Sequence, residues 1–210
     1  MMRGTPSPLR STEDAPPRAL HDHALGQLAF IHDTMARAGT FTSVSGAGIM
    51  GAGAVGLAAS AVSLVVPLRG DPWRWLMVWL VAAVVAVTIA ALTIRAKALR
   101  TNQLLSGAAA RTFALAFFPG LAAGAVVTAG LVWAGAWPLV PGTWLTIYGA
   151  AVTSGGAFSV RPVPAMGAVI FALGVACLAA PGAWYLLFLA AGFGGAHLWF
   201  GLRIARQHGG

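Results

Sequence analysis

Acidic side chains are scarce in this chain. Of 210 residues, five are Asp or Glu against 13 Lys or Arg, and no acid follows Asp71. Charged residues make up 9% of the sequence, where a soluble globular domain carries roughly 25%. A water-facing surface needs charge to stay soluble, so composition points to a membrane protein. No Asp, Glu, Lys or Arg falls in the centre of an apolar stretch. Ion-coupled carriers and proton relays usually place ionisable groups there despite the cost, which argues against a carboxylate-coupled pump or antiporter but not against a pore lined by hydroxyl or backbone groups. Cysteine is nearly absent as well. Cys177 stands alone, which rules out a disulfide framework within the chain and a thiolate metal cluster. The opening "MMRGTPSPLRSTEDAPPR" lacks the apolar core of a signal peptide and is expected to be a disordered tail.

What is present is apolar. Hydrophobic residues make up 58% of the chain, and a bilayer core takes about 20 apolar residues per helix. Six stretches approach that length, at 44–66, 75–94, 113–137, 143–160, 165–180 and 183–204. The fifth is short and is parted from the sixth only by Pro181 and Gly182, which fits a tight hairpin better than one broken helix. Pro119-Gly120 is expected to kink the third stretch or to mark its start. Basic residues give the orientation. Arg3, Arg10, Arg18 and Arg37 precede the first stretch. Arg95, Lys97, Arg100 and Arg111 lie between the second and third, Arg161 between the fourth and fifth, and Arg203 and Arg206 after the sixth. Only Arg69 and Arg74 fall on the other side. The positive-inside rule then places both termini in the cytoplasm, which an even number of spans requires.

The three outward turns share a pattern: "DPWRWLMVW", "PGTWLTIY" and "PGAWYLLF". Each has proline, then tryptophan, then an aromatic residue four positions on: Trp75 and Trp79, Trp144 and Tyr148, Trp184 and Phe188. Residues four apart share a helix face. Three tandem hairpins, each returning on an aromatic-anchored helix, would produce this pattern. So would the general preference of Trp and Tyr for membrane interfaces. In the first stretch Gly48, Ala52, Gly56 and Ser60 form a ridge of small residues four apart. Such a ridge lets helix backbones approach. It suits a contact between two copies of the chain, or packing against a neighbouring span, the commoner use.

Ahead of the first stretch, "LHDHALGQLAFIHDTMARAGTF" nearly repeats itself after eleven residues. At about 100° per residue, Leu20, Ala24, Leu28, Ile31, Met35 and Ala38 fall on one arc, with Asp22, Asp33 and Arg37 opposite. This predicts an amphipathic helix over 19–39. Its histidines invite a metal reading, but His21 and His32 sit about 16 Å apart at helical rise, and no pair has the one-turn spacing of zinc-binding helices. Acids on its polar face suit a protein partner better than anionic lipid.

His197 is the one histidine at membrane depth, in "GGAHLWFGLRIARQ". Haem held by two histidines would need a second at that depth. Ser154 on the fourth stretch and His197 on the sixth resemble the dyad of the rhomboid intramembrane proteases, as does the glycine, Gly201, that follows "AH". That resemblance implies serine hydrolysis within the membrane. Against it, Val152 stands where the family has glycine, the second stretch lacks the family's polar residues, and Ser154 falls toward the cytoplasmic end of its helix. The inner loop "RAKALRTNQLLSGAAAR" carries Arg95, Lys97, Arg100 and Arg111 without an acid, which suits anionic lipid headgroups. No aromatic platform or motif points to nucleic acid.

The segment "FIHDTMARAGTFT" resembles one that precedes the first span in a group of bacterial multi-pass membrane proteins of unknown activity. Phe30, Ile31, Thr34, Met35, Arg37, Ala38, Phe41 and Thr42 carry the likeness. It implies a bacterial inner-membrane setting and no particular chemistry.

The sequence thus predicts an all-α integral membrane protein with six transmembrane helices as three tandem hairpins, preceded by a cytoplasmic amphipathic helix. The divisions are a tail at 1–18, the amphipathic helix at 19–39, the membrane domain at 40–205 and a second tail at 206–210. The expected role is that of a non-catalytic accessory or regulatory protein that docks a cytoplasmic partner through Leu20, Leu28, Ile31 and Met35. An intramembrane hydrolase using Ser154 and His197, and a passive pore or carrier, are the alternatives. Membrane lipids, a cytoplasmic protein and a second copy are the expected partners; no cofactor, metal or nucleic acid is expected.

Overall fold

The computed structural model describes residues 27–28, 44–101 and 108–208. Among them the chain is helical and contains no strand. α1 is Gly46–Val62, α2 Pro72–Thr101, α3 Ala108–Trp133, α4 Val140–Gly156 and α5 Pro162–Ala179. α6 (Tyr185–Leu189) continues through a π-helical segment, Ala190–Ala196, into α7 (His197–His208). Four of the resulting helices are long and apolar enough to cross a membrane: Pro72–Arg100, Ala109–Trp133, Pro162–Ala179 and Tyr185–Gln207. α1 is apolar but only 17 residues long, and α4, also 17 residues, carries Thr143, Thr146, Tyr148, Thr153 and Ser154. The architecture is that of an all-α membrane protein. Of the amphipathic segment, only Gln27 and Leu28 are described, both helical and exposed. Leu20, Ile31 and Met35 lie outside the described residues, as do His21, His23 and His32.

Local chemistry sets the helix ends. Ser45 caps α1, its hydroxyl accepting the Gly48 N–H at 3.3 Å. Asp71 caps α2 by accepting the Arg74 N–H at 3.0 Å, with Pro72 at the first helical position, where its missing N–H costs nothing. α3 closes in a Schellman turn. Gly135 takes φ +68°, its N–H reaches the Val132 carbonyl at 3.1 Å and that of Ala136 reaches Leu131 at 2.8 Å. Pro119 neither starts nor ends the third helix: α3 begins at Ala108 and runs through it. A proline inside a membrane helix is tolerated when neighbouring groups compensate. The neighbouring Gly120 lies against Ala151 of α4.

Lipid gives apolar side chains little reason to seek one another, so helix association depends on close packing. Glycines repeat at intervals of seven on the closest pairs. On α4, Gly142, Gly149 and Gly156 face α5, meeting Leu178, the Phe171 backbone and Pro164. α5 answers with Gly167 against Thr153 and Gly174 against Thr146. On α1, Gly46 meets the backbone of Gly201 and Ala205, and Gly53 that of Gly194 and Leu198. α1 and the last helix therefore run antiparallel. A Cβ at Gly56 would come within 2.6 Å of the Phe193 carbonyl oxygen, closer than any side chain allows. Of the ridge expected on α1, Gly48 faces Thr93 of α2. Gly56 faces Phe193, Ser60 is buried with its hydroxyl on the Gly56 carbonyl, and Ala52 is half-buried. A third seam was not foreseen: Gly120, Gly124 and Thr128 of α3, four apart, meet Ala151, Ile147 and Trp144 of α4.

α2 and α3 stand at the periphery. Their apolar windows are 6% and 0% buried. Val81, Val84, Val87 and Leu92 on α2, and Leu115, Phe118 and Val126 on α3, are all exposed. Exposed apolar surface on this scale is not tolerated in water and is ordinary in lipid.

Candidate functional site: a buried tyrosine–histidine pair closing an aromatic column

The returning helices bring their aromatic residues together inside the bundle. Trp75 is fully buried and stacks on Trp144 at 5.4 Å with 14° between planes. Trp79 lies against Trp144 at 6.4 Å and Phe193 at 5.8 Å. Phe193 packs on Tyr148 at 5.3 Å, and Tyr148 stacks on His197 at 5.6 Å. Phe117 of α3 meets Tyr148 edge to face at 6.3 Å. The resemblance among the three proline–tryptophan turns therefore does not extend to environment. Trp75 and Trp79 are core residues, 0% and 5% exposed, whereas Trp184 is 56% exposed.

Hydroxyls complete the column. The Trp79 indole N–H donates to the Ser63 hydroxyl at 3.1 Å, and Ser63 donates to the Ala59 carbonyl at 2.8 Å. The Trp144 N–H donates to Thr128 at 2.7 Å, and Thr128 donates to the Gly124 carbonyl at 2.6 Å. Each hydroxyl accepts from a neighbouring helix while donating within its own, so both buried N–H groups are satisfied. Trp75 is the exception: its Nε1–H is buried without a partner.

His197 sits at the floor of the column, 3% exposed. Its Nδ1 lies 3.0 Å from the Gly192 carbonyl, and its Nε2 lies 2.8 Å from the Tyr148 hydroxyl. A carbonyl only accepts, so Nδ1 carries the hydrogen. Nε2 of the neutral ring then accepts from the Tyr148 O–H. The π segment makes this possible. Wider turns loosen the i→i−4 ladder, and a carbonyl five residues back takes a side-chain donor. "AAGFGGAH", with three glycines in four positions, was the available sequence signal.

Of the candidate dyad, the structure places His197 in the core with both ring nitrogens engaged, and Ser154 at an exposed position. Ser154 follows Tyr148 by six residues, about 240° around the helix, so the face that presents Tyr148 to His197 turns Ser154 away. The partner of His197 is a phenol rather than an alcohol nucleophile. Among the described residues no three His, Cys, Asp or Glu side chains are grouped to hold a metal ion. Arg95 and Arg100 are exposed at the end of α2, and Arg111 is exposed near the start of α3. Lys97 is half-buried, and its ammonium donates to the Val44 carbonyl at 3.1 Å, tying α2 to the start of α1. Comparison with protein-family models, with curated proteins and with solved structures finds no match.

Proposed function

We propose that this chain is a non-catalytic accessory or regulatory protein of a bacterial inner membrane. In this reading six helices cross the bilayer as three tandem hairpins with both termini in the cytoplasm. The bundle presents the amphipathic segment 19–39 to a cytoplasmic protein, which docks on Leu20, Leu28, Ile31 and Met35. One observation carries the non-catalytic part: the histidine at membrane depth is closed on both nitrogens, by Tyr148 and by Gly192. A general base needs a nucleophile within hydrogen-bond reach, and Ser154 is turned to the exterior. Basic residues support the orientation, since Arg95, Lys97, Arg100, Arg111, Arg161, Arg203 and Arg206 all lie toward the end of the bundle away from the turn at Asp71. Likeness of 30–42 to a segment of bacterial multi-pass proteins supports the setting. Affinity purification of the wild type and of a Leu28→Asp, Ile31→Asp variant tests the docking role. A specific cytoplasmic partner is expected with the wild type and should be lost with the variant, which still extracts as a folded bundle. Retention of every specific partner by the variant ends the docking reading.

A further inference from the structure

The end of the bundle opposite the basic loop holds a cavity of about 220 Å³ where three turns meet. At roughly 30 Å³ per liquid water, it has room for a phosphate group with a few attached carbons. The turns are fastened together. The Leu68 N–H donates to the Tyr185 hydroxyl at 3.2 Å, joining the first turn to the third. Trp73 meets Trp137 edge to face at 5.1 Å, joining the first to the second. Pro72, Trp137, Pro138 and Tyr185 supply ring surfaces to the walls, and Arg69, itself exposed, supplies a guanidinium. Gly182 lies beside that guanidinium: a Cβ there would come 3.1 Å from its Nη2.

Arg69 has no hydrogen bond or ion pair among the described residues. The nearby acid is already engaged: Asp71 pairs with Arg74 at 3.2 Å and caps α2. Topology accounts for the arginines at the other end, but not for one on the side where basic residues are disfavoured. Exposed Trp73, Trp133 and Trp184 ring this end of the bundle, as tryptophans do at headgroup depth. We infer that the cavity binds a phosphate group: the planar fork of Arg69 takes two phosphate oxygens, and the Trp137 and Tyr185 rings flank the carbons attached to it. Bidentate recognition of phosphate is what a guanidinium does and an ammonium does not. The inference rests on the bilayer setting and the orientation proposed above, and is independent of what segment 19–39 docks.

The test is titration of the full chain, purified in a neutral detergent, with dihexanoyl phosphatidylglycerol and, separately, with inorganic phosphate. Arg69→Gln, Arg69→Lys and Arg74→Gln are compared with the wild type, and thermal unfolding confirms that each is folded. Saturable binding is expected that Arg69→Gln weakens tenfold or more, as expected for losing a charged hydrogen-bonding partner. Arg69→Lys should recover only part of the affinity, and Arg74→Gln should bind as the wild type does. Preference for the lipid identifies a headgroup as the source, and equal binding of inorganic phosphate identifies a free anion. Absence of saturable binding, or equal losses in Arg69→Gln and Arg74→Gln, overturns the site.

Discussion

The two peripheral helices and the two interior ones reverse the rule of soluble proteins. Over its most apolar 18 residues Pro72–Arg100 has a mean hydropathy of 2.6 and is 6% buried, and over the same length Ala109–Trp133 stands at 2.0 and 0%. Tyr185–Gln207, at 1.4, is 39% buried. α4 has three threonines, a serine and a tyrosine, yet nine of its 17 residues are buried. In water the most apolar segments go inside. Here α2 and α3 face outward, while α5, with a hydropathy of 2.0 equal to that of α3, is 33% buried, because lipid is as good a neighbour for valine as another valine is and apolarity alone no longer decides the side. The interior goes to residues that gain from one another: glycines that let backbones touch, hydroxyls that take an indole N–H, and rings that stack.

That contrast fails first if the glycines are not what closes the interior. Gly149→Leu on α4 drives a side chain into the Phe171 backbone and the Gly167 carbonyl. It should cost about 3 kcal/mol, read as loss of a single folded species in detergent. Gly130→Leu on α3, where nothing lies within 4 Å, should change the unfolding midpoint by no more than about 0.5 kcal/mol allows. Equal damage from both would abolish the distinction between interior and periphery. Next comes the pair at the foot of the column. Tyr148→Phe leaves Nε2 of His197 buried without its donor and should destabilise by about 1–3 kcal/mol. In a double-mutant cycle with His197→Phe the two losses should not add; additive losses would mean that the 2.8 Å contact does not couple them. Ser63→Ala removes the acceptor of the Trp79 indole and should cost about 1 kcal/mol. The smallest effect belongs to the outside. Val84→Ala on α2, 67% exposed, should be neutral within about 0.5 kcal/mol, and a larger loss would mean that a protein partner, not lipid, covers that face.

Much of this fold was legible because lipid imposes a coarse rule. Apolar runs long enough to span marked the helices, and proline, glycine and tryptophan marked the turns. Their bounds shifted for local reasons: α2 extends to Thr101 because Arg95, Lys97 and Arg100 are good helix formers beyond the apolar run. Interior faces were harder to read. Gly48, Ala52, Gly56 and Ser60 stand at four-residue spacing, yet the tight seams of α1 and α4 repeat at seven: Gly46 and Gly53, Gly142, Gly149 and Gly156. A seven-residue period keeps a contact on one face over several turns, whereas the four-residue ridge of α3, Gly120, Gly124 and Thr128, drifts around its helix as it crosses α4. His197 stood out as a histidine at membrane depth and Tyr148 as an aromatic of the second turn, but their union depends on the π segment, whose register change no periodicity reveals. Ser154 was one wrong face away, a matter of about 240°.

The central claim is that the apolar faces of α2 and α3 have lipid as their solvent. Spin labels at Val81, Val84 and Val126, in a Cys177→Ala background reconstituted into liposomes, test it most directly. Those positions are 63%, 67% and 73% exposed. Frequent collisions with oxygen and few with a water-soluble nickel complex are predicted at all three. Leu99, beside Arg100 at the basic end of α2, should show nickel access. Nickel access at Val84 equal to that at Leu99 would contradict the account.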